Sequence, residues 1–203
     1  LEVILKGISP PIWRRFEVSE TMTLGRLHDA LQIGMGWTDS HLHRFIINGK
    51  EYGRPDYEER WTDDDPLGDE RRMRLTNLFP VVPTAFLYEY DYGDDWLHVV
   101  VVERYWPASA DEQYPTCIEG GRACPPEDVG GVYGYEELLA ILADPKHEEH
   151  EGMRMWAGAD FEPEAFDVES VNRALRHQFI VGELNDISFT AKQGQYLTFI
   201  YDY

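Results

Sequence analysis

The sequence predicts an α+β fold: a β-grasp-like α/β roll with a central antiparallel hairpin, helices packed on one face, and a C-terminal helix. Three observations carry this. Residues 84–90, TAFLYEY, alternate Phe86, Tyr88 and Tyr90 with Ala85, Leu87 and Glu89, the period of a half-buried strand. Residues 97–102, LHVVVV, are nearly all apolar and β-branched, which suits a strand buried on both faces. The first fifty residues read in the order hairpin, helix, strand, as such a roll requires.

The elements follow in chain order. Glu2 to Ile8 and Ile12 to Val18 read as two strands around Ser9-Pro10-Pro11, where the prolines force a turn or an edge irregularity. Trp13 is expected to pack beneath an exposed Arg14–Arg15 pair. Thr23 caps a helix whose Leu24, Leu27, Leu31 and Met35 recur on one face, and Gly34 and Gly36 end it. Leu42 to Asn48 is the next strand and Asn48-Gly49 its turn. Residues 55–70 form a long acid-rich loop; Arg71, Arg72 and Arg74 neutralise it locally, and Leu75 to Phe79 link it to the central hairpin. Within the hairpin turn, Asp91-Tyr92-Gly93-Asp94-Asp95, Gly93 is expected to supply the positive φ of a tight reversal. Trp96 and His98 then share a face.

Beyond the hairpin, residues 115–131, PTCIEGGRACPPEDVGG, read as loop. Pro125-Pro126-Glu127-Asp128 start a short helical turn, closed by Gly130-Gly131. Tyr135, Leu138, Leu139 and Leu142 mark a helix stopped at Asp144-Pro145. Asp167 caps a last helix carrying Val168, Val171 and Leu175.

Composition bounds the function. The chain of 203 residues is 43% apolar and 13% aromatic, enough for a substantial core, and its net charge is −20. So acidic a surface repels phosphate, which argues against direct nucleic-acid binding by the main domain and against anionic membranes. No apolar run approaches the roughly eighteen residues of a membrane span, and no signal-peptide pattern is visible. Cys117 and Cys124 make no disulfide framework. A cytoplasmic location and a protein partner are the expectations.

The residues with chemistry to offer are His41, His43, Asp91, Asp94, Asp95 and His98. Crowded carboxylates repel one another and invite a proton or a cation. Two imidazoles at i and i+2 share a strand face and suit a transition metal. If these six converge, the histidines and one carboxylate hold a divalent ion while a second carboxylate activates its water, as in a metal-dependent hydrolase. If they scatter, the turn is a solvated loop with His98 packed beneath it. No cofactor is predicted beyond that divalent metal.

Other groupings are weaker. Asp63, Asp64 and Asp65 lack the spacing of a calcium loop. Cys117 and Cys124 lack a second thiol pair, which leaves only a Cys2His2 combination with His41 and His43. His147 and His150, with Glu148, Glu149 and Glu151, miss the H-E-x-x-H pattern and read as an exposed helical face. The G-x-S-x-G, P-loop and dinucleotide signatures are absent.

Six stretches together carry a resemblance: ISPPIWRRFEV, TLGRLHDALQIGMGW, HLHRF, YEYDYGDDWLHVVVVE, CPPEDVGG with GYEELL, and FDVESVNRAL. In this order they resemble the plasmid pRiA4b ORF-3-like family over about residues 1–180. Relatives of that family include TnpR-type passenger proteins of insertion sequences. The resemblance implies an α+β roll and no established activity. Relatives often carry Cys where Val129 stands here, which weakens a thiolate metal site.

Residues 1–183 are therefore read as the pRiA4b ORF-3-like domain and 184–203, LNDISFTAKQGQYLTFIYDY, as a separate helical segment. Thr190 and Gln193 fit a capping box, and Tyr196, Leu197, Ile200 and Tyr203 line one helical face. The segment is similar to the opening helix of a LexA-type winged helix, with no recognition helix or wing after it. Taken together, the chain reads as a non-enzymatic interaction or regulatory module related to mobile-element passenger proteins. The metal-dependent hydrolase is the alternative.

Overall fold

The expected hairpin forms over Thr84–Tyr90 and Trp96–Val102, paired in register from Thr84 against Val102 to Tyr90 against Trp96. The structure, a computed structural model, describes residues 1–55, 67–108 and 113–186, with backbone alone for 180–186. In chain order the elements are β1 (Glu2–Leu5), β2 (Trp13–Glu17), α1 (Leu24–Met35), β3 (His43–Ile47), β4 (Lys50–Gly53), β5 (Gly68–Asp69), α2 (Leu75–Leu78), β6 (Thr84–Tyr90), β7 (Trp96–Val102), β8 (Thr116–Gly121), α3 (Gly131–Ala143), α4 (His150–Ala157) and α5 (Val168–Asp186). The eight strands make one sheet in the order β5-β4-β3-β6-β7-β1-β2-β8, antiparallel except where β4 meets β5. The β6–β7 hairpin thus stands at its centre, with three strands on either side. The fold is a mixed α/β architecture of this sheet and five helices. The triple-Asp run and the 190–203 helical face fall outside the described residues.

The apolar side of α1 packs Leu24, Leu27, Leu31 and Met35 into a core shared with Phe45, Phe86, Tyr88 and Val100 of the sheet. Thr23 caps α1, its hydroxyl accepting from the Arg26 amide at 3.3 Å, and Gly36 closes it in the left-handed region at φ 92°. Gly34 does not end the helix. It lies within it against Phe16, where a Cβ would stand 2.3 Å from the ring.

Several expectations are corrected. β7 alternates fully buried and half-buried residues, so one face of the strand, not both, is sealed. Asp91 and Asp95, each at φ 57°, take the left-handed positions of the hairpin turn in place of Gly93; a short side chain that hydrogen-bonds locally tolerates this. The Gly93 amide instead donates to Asp91 Oδ1 at 2.8 Å. Leu75–Leu78 is a short helix rather than a link.

Arg14 is buried, not exposed. Its guanidinium donates to the carbonyls of Gly34, Trp13 and Gly121 and lies 3.8 Å over the Phe166 ring. Residues 116–121, read as loop, form strand β8 against β2. The glycines there serve packing, since a Cβ on Gly120 would stand 2.4 Å from Phe166 and one on Gly121 2.9 Å from the Trp13 indole nitrogen. The outer edge of β8 is blunted by Asn172 of α5, which accepts from the Cys117 amide and donates to its carbonyl, each at 2.8 Å. A side-chain amide thereby takes the place of a neighbouring strand. No helix starts at Pro125; α3 begins only at Gly131.

The close approach of α1 to the sheet gives a direct test. Gly34→Ala should lower the unfolding free energy by about 1–3 kcal/mol through overpacking against Phe16, although alanine is the better helix former. Urea denaturation reads this; an unchanged or higher midpoint would contradict the contact.

Candidate functional site

Two polar clusters flank the 36–42 segment between α1 and β3. The inner cluster is built on Tyr88, whose fully buried hydroxyl must find partners. Its oxygen lies 2.8 Å from His28 Nδ1 and accepts from Gln32 Nε2 at 3.0 Å. His28 Nε2 lies 2.8 Å from Asp39 Oδ1, and Gln32 Oε1 accepts from the Asp39 amide at 2.9 Å. The four residues close a ring in which every donor has an acceptor. His28 Nε2–H donates to the carboxylate, the Tyr88 hydroxyl donates to Nδ1, the Gln32 amide donates to the hydroxyl, and the Asp39 amide donates to Gln32.

A second layer joins the ring. The His43 ring stacks on that of His28 at 3.5 Å and 8°, and its Nε2 donates to the buried Glu70 at 2.7 Å. Arg54 reaches both carboxylates, Asp39 Oδ2 at 3.2 Å and Glu70 Oε1 at 3.3 Å. Burial pushes His28 down from 6.5 to about 4, against the pull of its Asp39 bond. Burial alone would raise Asp39 and Glu70, but the histidines and Arg54 outweigh it and hold both below the ordinary carboxylate range. Burial raises the Tyr88 hydroxyl well above its ordinary value. At neutral pH the ring therefore holds a neutral His28, an ionised Asp39 and a protonated Tyr88. His28, Asp39 and His43 gather three potential ligand atoms. Parallel imidazoles cannot both point an in-plane lone pair at one ion, so this trio does not fit a metal.

The outer cluster gathers at the hairpin turn. His41 Nε2 stands 3.3 Å from Asp128 Oδ1, 3.6 Å from Asp91 Oδ2 and 3.8 Å from Glu127 Oε2. Glu127 turns its other oxygen to the Thr38 amide at 2.9 Å, the Thr38 hydroxyl at 3.2 Å and the Tyr90 hydroxyl at 3.0 Å. Trp37, ringed by Tyr90, Trp96 and His98, donates its indole N–H to Pro125 O at 3.0 Å and so docks the 125–130 segment.

Of the six residues predicted to carry chemistry, His41 and Asp91 come together. Asp94 turns aside to accept from the Gly130 amide at 3.0 Å, and the Asp95 amide donates to the Asp91 carbonyl at 2.7 Å. His43 belongs to the inner cluster. His98 is wholly buried beside Trp37 and Tyr88, its Nδ1 3.2 Å from the Tyr88 carbonyl, and burial lowers it to about 4. Cys117 and Cys124 are free thiols and enter neither cluster. Glu127 and Asp128, read from sequence as a helix start, and His28, Asp39, Arg54 and Glu70 were not among the candidates.

The chain matches the plasmid pRiA4b ORF-3-like protein family over residues 1–170. It is 40% identical over 176 residues to the uncharacterized protein y4hQ of Sinorhizobium fredii, covering 86% of this chain and 89% of that one. It is similar to the crystal structure of a protein of unknown function, MM3350, from Methanosarcina mazei Go1, with TM-score 0.74 and 41% identity over 83% of this chain and 93% of that one. The chain belongs to the pRiA4b ORF-3-like family.

The inner ring makes stability depend on pH. Below its ordinary value of 6.5, an unfolded His28 binds a proton that the folded His28 refuses down to about 4. The unfolded state then holds more protons, so stability falls as pH drops through that window. His98 acts in the same sense, and the lowered Asp39 and Glu70 extend the loss through the carboxylate range. Urea midpoints should be flat above about pH 7 and fall below it, with a shallower fall in His28→Gln. Tyr88→Phe strips partners from His28 and Gln32 and should cost about 1–3 kcal/mol at every pH. An unchanged pH slope in His28→Gln would contradict the neutral, buried imidazole.

Proposed function

We propose that this member of the pRiA4b ORF-3-like family is a non-enzymatic interaction or regulatory module, with a basic, apolar-anchored polypeptide as its partner. The closure of the inner ring supports this reading most. Its histidines, carboxylates, hydroxyl and amide bond one another, so none of these groups is left free toward a substrate. At the end of the sheet opposite the hairpin turn lies a recess of about 340 Å³ lined by Phe16, Val18, Phe79 and Val102, with Tyr105 and Trp106 half-exposed in its wall. Glu17, Glu20 and Arg104 also line it, the guanidinium lying over the Trp106 ring. Aromatic side chains beside a desolvated recess are the usual anchors of a protein contact, and the carboxylates and the net charge of −20 favour a cationic partner. That such a partner belongs to mobile-element functions, as the resemblance to insertion-sequence passenger proteins implies, and that the chain is cytoplasmic are parts of the same proposal.

A metal-dependent hydrolase is the second reading, and one observation favours it: the approach of His41 to Asp91 at 3.6 Å. His43 and His98 lie too deep to join them.

Two assays separate the readings. The purified chain, with zinc or manganese added, should turn over ester, phosphoester and peptide substrates no faster than buffer. A partner captured by the parent chain should be lost by a Tyr105→Ala/Trp106→Ala double variant that melts at the parent temperature. Turnover that disappears in His41→Ala would replace the module with the hydrolase.

A further inference from the structure

We propose that His41, Asp91 and Asp128, with Glu127 beside them, form a binding site for one divalent first-row transition cation at the mouth of the central hairpin. Four donors around one ion at the 2.0–2.2 Å bond lengths of such metals stand roughly 3.3–3.6 Å apart in tetrahedral array. One ligand atom each of His41, Asp91 and Asp128 lies within 4.8 Å of the other two, with Asp128 Oδ1 at 3.3 Å and Asp91 Oδ2 at 3.6 Å from His41 Nε2, the spacing of ligands about a shared centre; Glu127 Oε2, 3.8 Å from Nε2, stands beside that trio. A protonated imidazole would instead draw one carboxylate to about 2.7–2.9 Å. Here no carboxylate oxygen closes to that distance, and Nε2 is shielded from solvent without a hydrogen-bond partner.

The carboxylates point inward for reasons of their own. Asp91 is 92% buried by side-chain area, being 8% exposed. It anchors Oδ1 on the Gly93 amide and leaves Oδ2 facing the imidazole. Glu127 anchors Oε1 on Thr38 and Tyr90, and its Oε2 is buried without a partner. A carboxylate held by one oxygen and free at the other is how outer-shell hydrogen bonds orient metal ligands. Buried polar atoms left without partners call for an explanation, and two of them, Nε2 and Oε2, here face each other. Among the described residues, no Lys or Arg pairs with these three carboxylates.

The donor set also selects the ion. Calcium takes six to eight oxygens at about 2.3–2.6 Å, whereas one imidazole with carboxylates suits zinc, manganese or iron. Asp128 lies at the outer side, 74% exposed, and is where the ion would enter. The site joins three segments distant in sequence, at 41, 91 and 127–128, so the ion would act first as a clasp. The interaction-module reading neither requires nor forbids it.

The test uses the full chain without an affinity tag, stripped with chelator and titrated separately with Zn²⁺, Mn²⁺ and Ca²⁺ by calorimetry and thermal melting. The expected result is one equivalent of Zn²⁺ or Mn²⁺ per chain, with a higher melting temperature. His41→Ala and Asp128→Asn should each weaken binding at least about tenfold, while the exposed Glu148→Gln should not. Metal-free Asp128→Asn should melt no lower than the parent, because it removes a repelling charge from an exposed position; this separates lost binding from lost folding. Absence of stoichiometric binding, binding that survives both substitutions, or Ca²⁺ binding tighter than Zn²⁺ and Mn²⁺ would each overturn the proposal.

Discussion

Burial of the Tyr88 hydroxyl is the constraint on which the rest of this end of the molecule depends. Strand β6 needs an aromatic residue there to fill the layer beneath α1, and a phenol brings an oxygen with it. Left without a partner in that layer, the oxygen would be costly. Helix α1 therefore presents His28 and Gln32, four residues apart on the same face, both bonded to it. Their far ends then need partners, and both find them in Asp39, through its carboxylate and its amide. Asp39 thereby fixes the chain between α1 and β3. Trp37 on one side of it and His41 on the other are placed as a consequence.

The acidic excess is resolved differently in different parts of the sheet. Arg44 bridges Glu89 and Glu51, and Arg15 reaches Glu2, Glu103 and Glu119. These are partly exposed, solvent-screened pairs that add little stability each. Asp39 and Glu70 are deeper and rely on Arg54 and the stacked histidines, where loss of a partner would leave a buried charge. Asp91, Glu127 and Asp128 have no guanidinium among the described residues. The contrast matters more than the net charge, because a cation is best accommodated where the protein has not already supplied its own.

Much of the sheet was legible in the sequence, since period-two alternation marks β6, the β-branched run marks β7, and the acid-rich Asp91–Asp95 turn separates them. Of the missed strands, β4, β5 within the expected 55–70 loop, and β8, the last was hidden by Gly120-Gly121 and the preceding Pro115. The glycines are set by the close approach of Phe166 and Trp13, which only the tertiary structure reveals. Arg14 followed Trp13 in an edge-like segment, and nothing local shows that three carbonyls and an aromatic ring would enclose it. Site residues were legible where they stood out as clusters, as with His41 and Asp91. His28 was not, because a lone histidine within a leucine stripe looks like an ordinary helix position; the polar i, i+4 pair with Gln32 was the available signal. Glu70 was concealed within an acid run that reads as solvated, and its burial depends on a parallel two-residue contact of β5 with β4. Glu127 and Asp128 followed two prolines and mimicked a helix start.

The stretches that carry the family resemblance are scattered along the chain, yet four of them meet at one end of the sheet. TLGRLHDALQIGMGW supplies His28, Gln32 and Trp37; HLHRF supplies His41 and His43; YEYDYGDDW supplies Tyr88, Tyr90, Asp91 and Trp96; CPPEDVGG supplies Pro125, Glu127 and Asp128. Their contacts are specific in kind: an indole N–H to a proline carbonyl, a tyrosine hydroxyl to a glutamate, an imidazole facing three carboxylates. Packing alone needs only apolar residues of suitable volume. Polar partners with this geometry ask for more, and a hydrogen-bonded core accounts for the inner ring but not for the outer one. Around Tyr88, the side chains of His28, Gln32 and Asp39 are each bonded to another. Asp91 and Glu127, around His41, are each anchored through one oxygen and leave the other toward the imidazole. The facing, unpartnered His41 Nε2 and Glu127 Oε2 distinguish the hairpin mouth from the closed ring behind it.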